Sequence, residues 1–230
     1  MCGRFVQALE PRVYAEHFGV DLIKAEALDP SWNVAPTDGV YAVAAHEGER
    51  QLGTFRWGLI PWWAKDRKSA ARNINARSET VASTPAFRDS FVKRRCIVPA
   101  DGFYEWEQKP KGKLPHFIRA ESGLPLALAG LWASWRDPDT EDRITTCTII
   151  TGPPNVTVAK LHDRMPVILD AEVWEEWLDP ENEDPETLQS LLMTHPADGM
   201  SEHAVSTLVN KVANNVPECI LPLETGAVDL

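Results

Sequence analysis

The hydrophobic positions of this chain fall mostly into short runs rich in β-branched and aromatic residues, the mark of strands, separated by brief stretches of helical spacing. Val40 to Ala45, Leu52 to Gly58, Leu126 to Trp135 and Ile144 to Thr151 are predicted strands. Gly102 to Gln108 and Pro115 to Ala120 flank a Lys-Pro-Lys-Gly-Lys turn and are predicted to pair. Leu9 to Phe18 has helical spacing. Thr84-Pro85 carries a helix-start signal, threonine as cap and proline in the first turn, leading into Ala86 to Arg94. Asp170 is placed to cap a helix through Trp177, and Asp184-Pro185 to open another through Met193. Strands interrupted by helices without regular βαβ alternation indicate an α+β fold, strand-rich with short peripheral helices.

No internal repeat or low-complexity linker divides the sequence, so residues 1–230 are expected to form a single domain with an acidic C-terminal segment from about residue 170. A chain of that length buries a substantial core without disulfide or metal staples. Its 43% hydrophobic and 25% charged content excludes disordered, collagen-like and disulfide-rich secreted classes. The longest apolar stretch, Leu124 to Trp135, falls well short of the roughly 20 residues that cross a bilayer. Met1-Cys2-Gly3-Arg4-Phe5 lacks the basic and apolar regions of a secretory signal. The expected address is cytoplasmic, associated with the nucleoid in a bacterium or nuclear in a eukaryote. Cys2, Cys96, Cys147 and Cys219 form no C-x-x-C pair, which argues against a zinc site and, in a reducing compartment, against disulfides. Cys96 and Cys147 sit in apolar runs and are expected to be buried core thiols. No metal, other cofactor or membrane partner is expected.

The net charge of −11 speaks against a nucleic-acid partner until its distribution is considered. Through residue 120 the chain carries 18 Lys and Arg against 14 Asp and Glu; beyond it, 5 against 20. The positive residues cluster at Lys65, Arg67, Lys68, Arg72 and Arg77, and again at Arg88, Lys93, Arg94 and Arg95. Either a basic face or a solvated, mixed surface fits this pattern.

Cys2 stands apart from the other cysteines. Removal of Met1, expected when the second residue is small, leaves a residue with both a free α-amine and a thiol. With an α-amino pKa of about 7.7 to 8.0, roughly a tenth of the amine is unprotonated at neutral pH. An aldehyde suits this pair: the amine forms an iminium and the thiol closes on the same carbon as a five-membered thiazolidine. An N-terminal cysteine can instead attack an amide carbonyl, as N-terminal-nucleophile amidases do.

The residues around that chemistry occur in a fixed order. They are Met1-Cys2-Gly3-Arg4, Trp32 to Pro36, Trp57 to Lys65, Asn75-Ala76-Arg77-Ser78-Glu79, Arg95 to Pro99, Gly102-Phe103-Tyr104-Glu105-Trp106 and His162-Asp163-Arg164-Met165-Pro166. This set resembles the SRAP family, the SOS-response-associated peptidase domain, from Cys2 to about Asn210. The resemblance implies a strand-rich SRAP-like fold and a DNA-damage protein. Such a protein senses abasic sites in single-stranded DNA and links covalently to the ring-opened sugar through its N-terminal cysteine, shielding the lesion. Thiol autopeptidase and lyase activities of low turnover come with the same site. The other reading of the chain is a thiol amidase without DNA dependence, and a third is a non-covalent single-strand binder.

Carried onto matching positions, the resemblance makes Cys2 the nucleophile, Asn75 its positioning partner, Glu105 a proton-transfer group and His162 an acid and base near the sugar. Each role has a physical reason. The abasic sugar is mostly a closed hemiacetal, and a histidine of pKa near 6.5 can exchange the protons that open it. A carboxylate beside the N-terminus can take a proton from the ammonium, and in a regular strand Glu105 shares a face with Phe103, where apolar surroundings raise its pKa. Taken singly, Glu105 also fits a surface ion pair, His162 a structural histidine and Asn75 a turn former. Arg4, Arg77 and Arg164 are placed to hold phosphates, and Trp62 and Trp63 to stack an exposed base, one of the two being core if they lie in a strand. Asn33 and Pro36 complete the family's channel-side loop, with Thr151 a weaker candidate. The chain departs from the family at Thr84-Pro85, which brings no positive charge to the channel; Arg88 is the nearest substitute. The expected partner is single-stranded DNA containing abasic sites, bound by a monomer.

Overall fold

The computed structural model describes residues 2–110 and 112–223; Met1, Lys111 of the predicted turn and residues 224–230 lie outside it. Among the described residues the strands are β1 (Phe5–Gln7), β2 (Leu22–Ile23), β3 (Ser31–Val34), β4 (Gly39–His46), β5 (Glu49–Trp57), β6 (Asn75–Arg77), β7 (Arg95–Ala100), β8 (Gly102–Lys109), β9 (Gly112–Ala120), β10 (Leu126–Arg136), β11 (Arg143–Gly152), β12 (Met165–Pro166) and β13 (Met200–Ala204). The helices are short: α1 (Pro11–His17), α2 (Arg88–Lys93), α3 (Trp174–Leu178) and α4 (Pro185–Ser190). This is the strand-rich α+β architecture the hydrophobic pattern predicts. No described helix is long and apolar enough to cross a membrane.

The strands make two sheets. One runs β13-β9-β8-β1-β3; the other runs β12-β11-β10-β7-β4-β5-β2, with β6 parallel beside β11. β11 also pairs in parallel with β5, so β11, β10, β7, β4 and β5 close into a ring whose strands have no free edge toward one another. Period-two alternation sorts the ring's side chains. Tyr41 and Val43 pack in one cluster with Tyr14 of α1, Phe18 just past its end, Phe91 of α2 and Trp177 of α3. Val40, Ala42, Trp57, Val98 and Cys147 face the other way, and Phe5, Phe103 and Ile118 of the five-stranded sheet join them in one core. Cys96 and Cys147 are buried thiols, as expected. Gln7 ties the sheets together in polar terms: its amide donates to the carbonyls of Tyr41 (3.1 Å) and Pro99 (2.8 Å) and accepts from the Tyr41 N–H (2.7 Å).

Two helix starts differ from the sequence reading. Thr84 does not cap a helix; its hydroxyl donates to the Thr80 carbonyl at 2.8 Å in a preceding turn, and α2 begins only at Arg88. Asp170 makes no capping bond because its carboxylate faces the His195 ring at 3.0 Å, and a single 3-10 turn precedes α3. Asp184 does cap α4, accepting from Thr187 N–H at 3.0 Å, but the helix ends at Ser190 rather than Met193.

Arg95, counted in a basic cluster from sequence, is 3% exposed. Its guanidinium donates to the carbonyls of Trp177 (2.6 Å), Phe91 (3.0 Å) and Asn182 (3.0 Å), and to those of Val92 and Asp179. These carbonyls sit at and just beyond the C-terminal ends of α2 and α3, where intrahelical donors run out and the helix dipole favours a cation. Burial lowers the Arg95 pKa to about 10. Arg95→Met is expected to lower unfolding free energy by about 3 kcal/mol, since it strands several buried acceptors at once. Arg95→Lys, with fewer and differently directed donors, should fall between. Urea denaturation of the three proteins measures this, and an Arg95→Met midpoint within error of wild type would contradict it.

Candidate functional site

The site is assembled from the N-terminal strand and what closes over it. β1 pairs antiparallel with β8 on one side (Phe5 opposite Phe103) and with β3 on the other (Phe5 opposite Val34). Tyr104 N–H donates to the Arg4 carbonyl at 3.0 Å, extending that grip toward the terminus. Cys2 is 0% exposed, within the core cluster that includes Phe5, Trp57 and Phe103. Asn75, on β6, donates from Nδ2 to the Cys2 carbonyl at 2.8 Å, and its Oδ1 is buried without a hydrogen-bond partner among the described residues. Burial pushes the Cys2 thiol well above its ordinary pKa, and the Glu105 charge pushes it the same way.

Glu105 projects from β8 on the face it shares with Phe103 and is 2% exposed. Its surroundings are those the alternation predicts, and burial raises its pKa to about 7. His162 follows a 3-10 turn (Val158–Lys160), and its backbone N–H bonds the Val158 carbonyl at 2.9 Å. Its Nδ1 lies 3.0 Å from the Arg164 N–H and 2.8 Å from Asp163 Oδ1. These contacts serve different protonation states: a neutral ring with its proton on Nε2 accepts from Arg164, and an imidazolium pairs with Asp163. Burial lowers the His162 pKa, favouring the neutral ring.

His162 separates two clefts. One of about 620 Å³ is lined by Glu105, Trp106, Gln108, Lys113 and Asn210; the other, of about 540 Å³, by Arg77, Glu79, Thr80, Thr151 and Arg164. A larger hollow of about 710 Å³, rich in acidic residues such as Glu172 and Glu175, shares no residue with either. Among the described residues no group of His, Cys, Asp and Glu side chains could hold a metal ion.

Cys2, Asn75, Glu105 and His162 therefore come together, with Arg77 exposed and Arg164 half-buried in the adjoining cleft. Other expected DNA contacts are placed differently. Arg4 Nη1 donates to Asn33 Oδ1 (2.6 Å) and the Val209 carbonyl (2.9 Å). Asn33 is buried, and its Nδ2 is spent on the carbonyls of Val209, Lys211 and Asn214, so the pair fastens the C-terminal segment over β3. Pro36 opens the turn after β3, where Thr37 takes a φ of 79°. Thr151 is buried, and its carbonyl accepts from Ser78 N–H and Arg164. Trp62 and Trp63 are both exposed, at 64% and 52%; they lie in a turn rather than a strand, so alternation does not send one into the core. Trp62 lines a hollow with Arg88, Lys93 and Arg94. The basic clusters are partly consumed: Arg67 pairs with Asp137, Lys93 with Glu183, Arg88 with Asp89, and Arg95 is buried. Sequence reasoning missed Trp106, whose Nε1 donates to Asn210 Oδ1 at 2.7 Å, and Lys113 and Gln108 beside it. Trp106 follows Glu105 within a motif already singled out, and no local signal marks the other two.

Fold and site together define a strand-rich α+β protein in which a buried Cys2, the buried Glu105 carboxyl and His162 adjoin an arginine-lined cleft. The chain belongs to the SOS response associated peptidase (SRAP) family, whose profile matches residues 1–212. It is 46% identical over 222 residues to the "Abasic site processing protein YoqW" of Bacillus subtilis (strain 168), covering 96% of this chain and 99% of that protein. It is 36% identical over 204 residues to the "Abasic site processing protein HMCES" of Gallus gallus, covering 79% of this chain and 60% of the relative. A crystal structure of a Bacteroides thetaiotaomicron protein superposes with a TM-score of 0.86 at 25% identity, covering 97% of this chain and all of that one.

The Glu105 carboxyl binds its proton more readily folded than unfolded, because its pKa rises from an ordinary 4.5 to about 7. Across that window the folded state holds more protons, so stability falls as pH rises and the full cost is present above it. Glu105→Gln is expected to be the more stable protein near pH 8, by an amount on the order of 3 kcal/mol at most. The gain should shrink as pH falls through 7 and be gone near 4.5. Denaturation of both proteins across that range checks it; a glutamine variant no more stable than wild type at the alkaline end would contradict the cost assigned to the buried charge.

Proposed function

We propose that this protein captures abasic sites in single-stranded DNA by forming a thiazolidine between Cys2 and the C1′ aldehyde of the ring-opened sugar. The observation that carries the reading is the juxtaposition of residue 2, held by Asn75, with a buried carboxyl of pKa about 7 and with His162 at the edge of an arginine cleft. The names of the relatives, which describe abasic-site processing, support it.

The steps follow from the groups present. His162, neutral and able to give a proton from Nε2, exchanges protons with the ring oxygen and anomeric hydroxyl so that the aldehyde appears. With Met1 removed, the Cys2 amine attacks C1′ to give a carbinolamine. Glu105, near half-protonated at neutral pH, takes the ammonium proton and returns it to the departing hydroxyl, so that water leaves and an iminium forms. The burial-raised pKa keeps the thiol protonated, so the amine opens the reaction. Sulfur then bonds to the same carbon while its proton passes to Glu105 or solvent, and the adduct equals protein plus DNA minus one water. Asn75 Oδ1 is available to accept from the amine or from a sugar hydroxyl. Arg77 and Arg164 hold flanking phosphates, and Trp62 and Trp63 offer stacking faces to neighbouring bases. One chain carries every group, so the reaction needs no second copy and a monomer suffices. The same residues fit release of Met1 by autoproteolysis, and a reversible iminium fits a slow lyase side reaction.

Intact mass spectrometry of the protein, alone and mixed with a single-stranded oligonucleotide bearing one abasic site, tests this against an undamaged control. The expected result is loss of Met1 and a heat-stable adduct, one water lighter than its parts, with the abasic strand alone. Cys2→Ala should form no such adduct while retaining salt-sensitive strand binding. Cys2→Ser should give a more labile one, because its hydroxyl closes the ring poorly. Adduct formation by Cys2→Ala at the wild-type level sinks the assignment, and turnover of amide substrates without any adduct favours the amidase reading.

A further inference from the structure

The cleft beside His162 holds an ion pair that the proposed chemistry does not use. Glu79, in the turn after β6, meets Arg164 edge to edge: Oε2 lies 2.8 Å from Nη2, and Oε1 contacts Nη1. Nη2 also donates to the Thr151 carbonyl, and Nε is buried without a hydrogen-bond partner among the described residues. The fork through which Arg164 would grip a phosphate is thus filled by a carboxylate, which presents two oxygens to a guanidinium much as a phosphate does. Arg77, in the same cleft, is exposed and makes no ion pair among the described residues.

We propose that Glu79 is a gate on Arg164, a resident anion that occupies the guanidinium until a DNA phosphate displaces it, and that it thereby weakens the hold on undamaged strands. The inference rests on the DNA reading above and adds a specificity-determining residue to it. The two partners are unequal in the way an exchange requires. The Glu79 side chain is 48% exposed and free to swing outward, whereas that of Arg164 is 17% exposed and anchored on Thr151. Protonation does not open the gate, because the Arg164 hydrogen bond holds the Glu79 carboxyl down at about 2. Displacement therefore needs a competing anion. A strand passing without a lesion must break the ion pair at every encounter for a contact of similar kind, so its net gain is small. A strand joined to Cys2 presents its phosphate at high effective concentration and displaces Glu79 readily. The gate thus favours strands that have already reacted.

The test compares wild type, Glu79→Gln, Arg164→Gln and the double variant in binding to an undamaged single-stranded oligonucleotide by fluorescence anisotropy, and to inorganic phosphate by NMR titration of arginine side chains. Glu79→Gln is expected to bind the undamaged strand about three- to tenfold tighter. Its salt dependence should steepen by about 0.7 in log–log slope, one further phosphate neutralised. The gain should vanish when Arg164 is also replaced, and undamaged competitor should suppress adduct formation correspondingly more strongly. Unchanged or weaker strand binding by a folded Glu79→Gln protein would overturn the gate and make Glu79 a support that orients Arg164. Inorganic phosphate separates this failure from that of the DNA reading. If wild type forms no adduct with abasic strands, that reading falls, while tighter phosphate binding by Glu79→Gln keeps the gate and its absence removes it.

Discussion

The backbone grip of β8 and β3 on Phe5–Gln7 is the constraint on which the site depends. Chain termini ordinarily fray, and a nucleophile at residue 2 would sweep a large volume if the residues behind it were loose. Here a strand of three residues lies inside a sheet rather than at its edge. The Gln7 amide fastens it to the closed ring, and Asn75 reaches from that ring's β6 appendage to hold the Cys2 carbonyl. The residue proposed to react is thereby oriented before any substrate arrives, which is where most of the advantage of the proposed ring closure would reside. So short a strand has little stability of its own, and its order is a gift of the sheets on either side.

Burial is the second influence, and it acts on both Cys2 and Glu105, the groups proposed to react, in one direction. Cys2 and Glu105 lie beside Phe103 in the seam between the sheets, where loss of water disfavours the thiolate and the carboxylate alike. Enzymes that use cysteine as the first nucleophile generally depress the thiol pKa. A raised one suits a site in which an amine attacks first and a neutral thiol follows, with a carboxyl near neutrality moving the protons. Desolvation of this kind costs stability, a recurring tension between a functional site and the fold that holds it.

Net charge proves a poor guide to what the cleft can bind. A chain of −11 spends much of its positive charge internally: Arg95 among helix-end carbonyls, Arg67 on Asp137, Lys93 on Glu183 and Arg4 on the C-terminal segment. What matters to a phosphate is the local field of a few guanidinium groups and the anion already bound to them. Arg77 and Arg164 are neighbours in space but differ in this respect, one open and the other paired.

Much of the architecture was legible in the residues. The β-branched runs found β4, β10 and β11 to within one residue and β5 except for its first three, and alternation along β8 placed Glu105 beside Phe103 on a buried face. Those features depend on side-chain period and composition, which are local. The helix starts at Thr84 and Asp170 failed because a hydroxyl and a carboxylate that could cap found other partners, one in a preceding turn and one in His195. The four proposed catalytic residues were legible as motifs, yet their meeting was not, since Cys2, Asn75, Glu105 and His162 come from four separate parts of the chain. Nor could the sequence tell an arginine that faces a cleft from one buried among carbonyls, or an asparagine that meets solvent from one spent on backbone. By itself the sequence determined the six longest strands, their buried faces and the chemical types at the site. Which charges are paired, which are desolvated and which remain open to a ligand was decided by the tertiary structure, because those properties belong to distances between segments far apart in the chain.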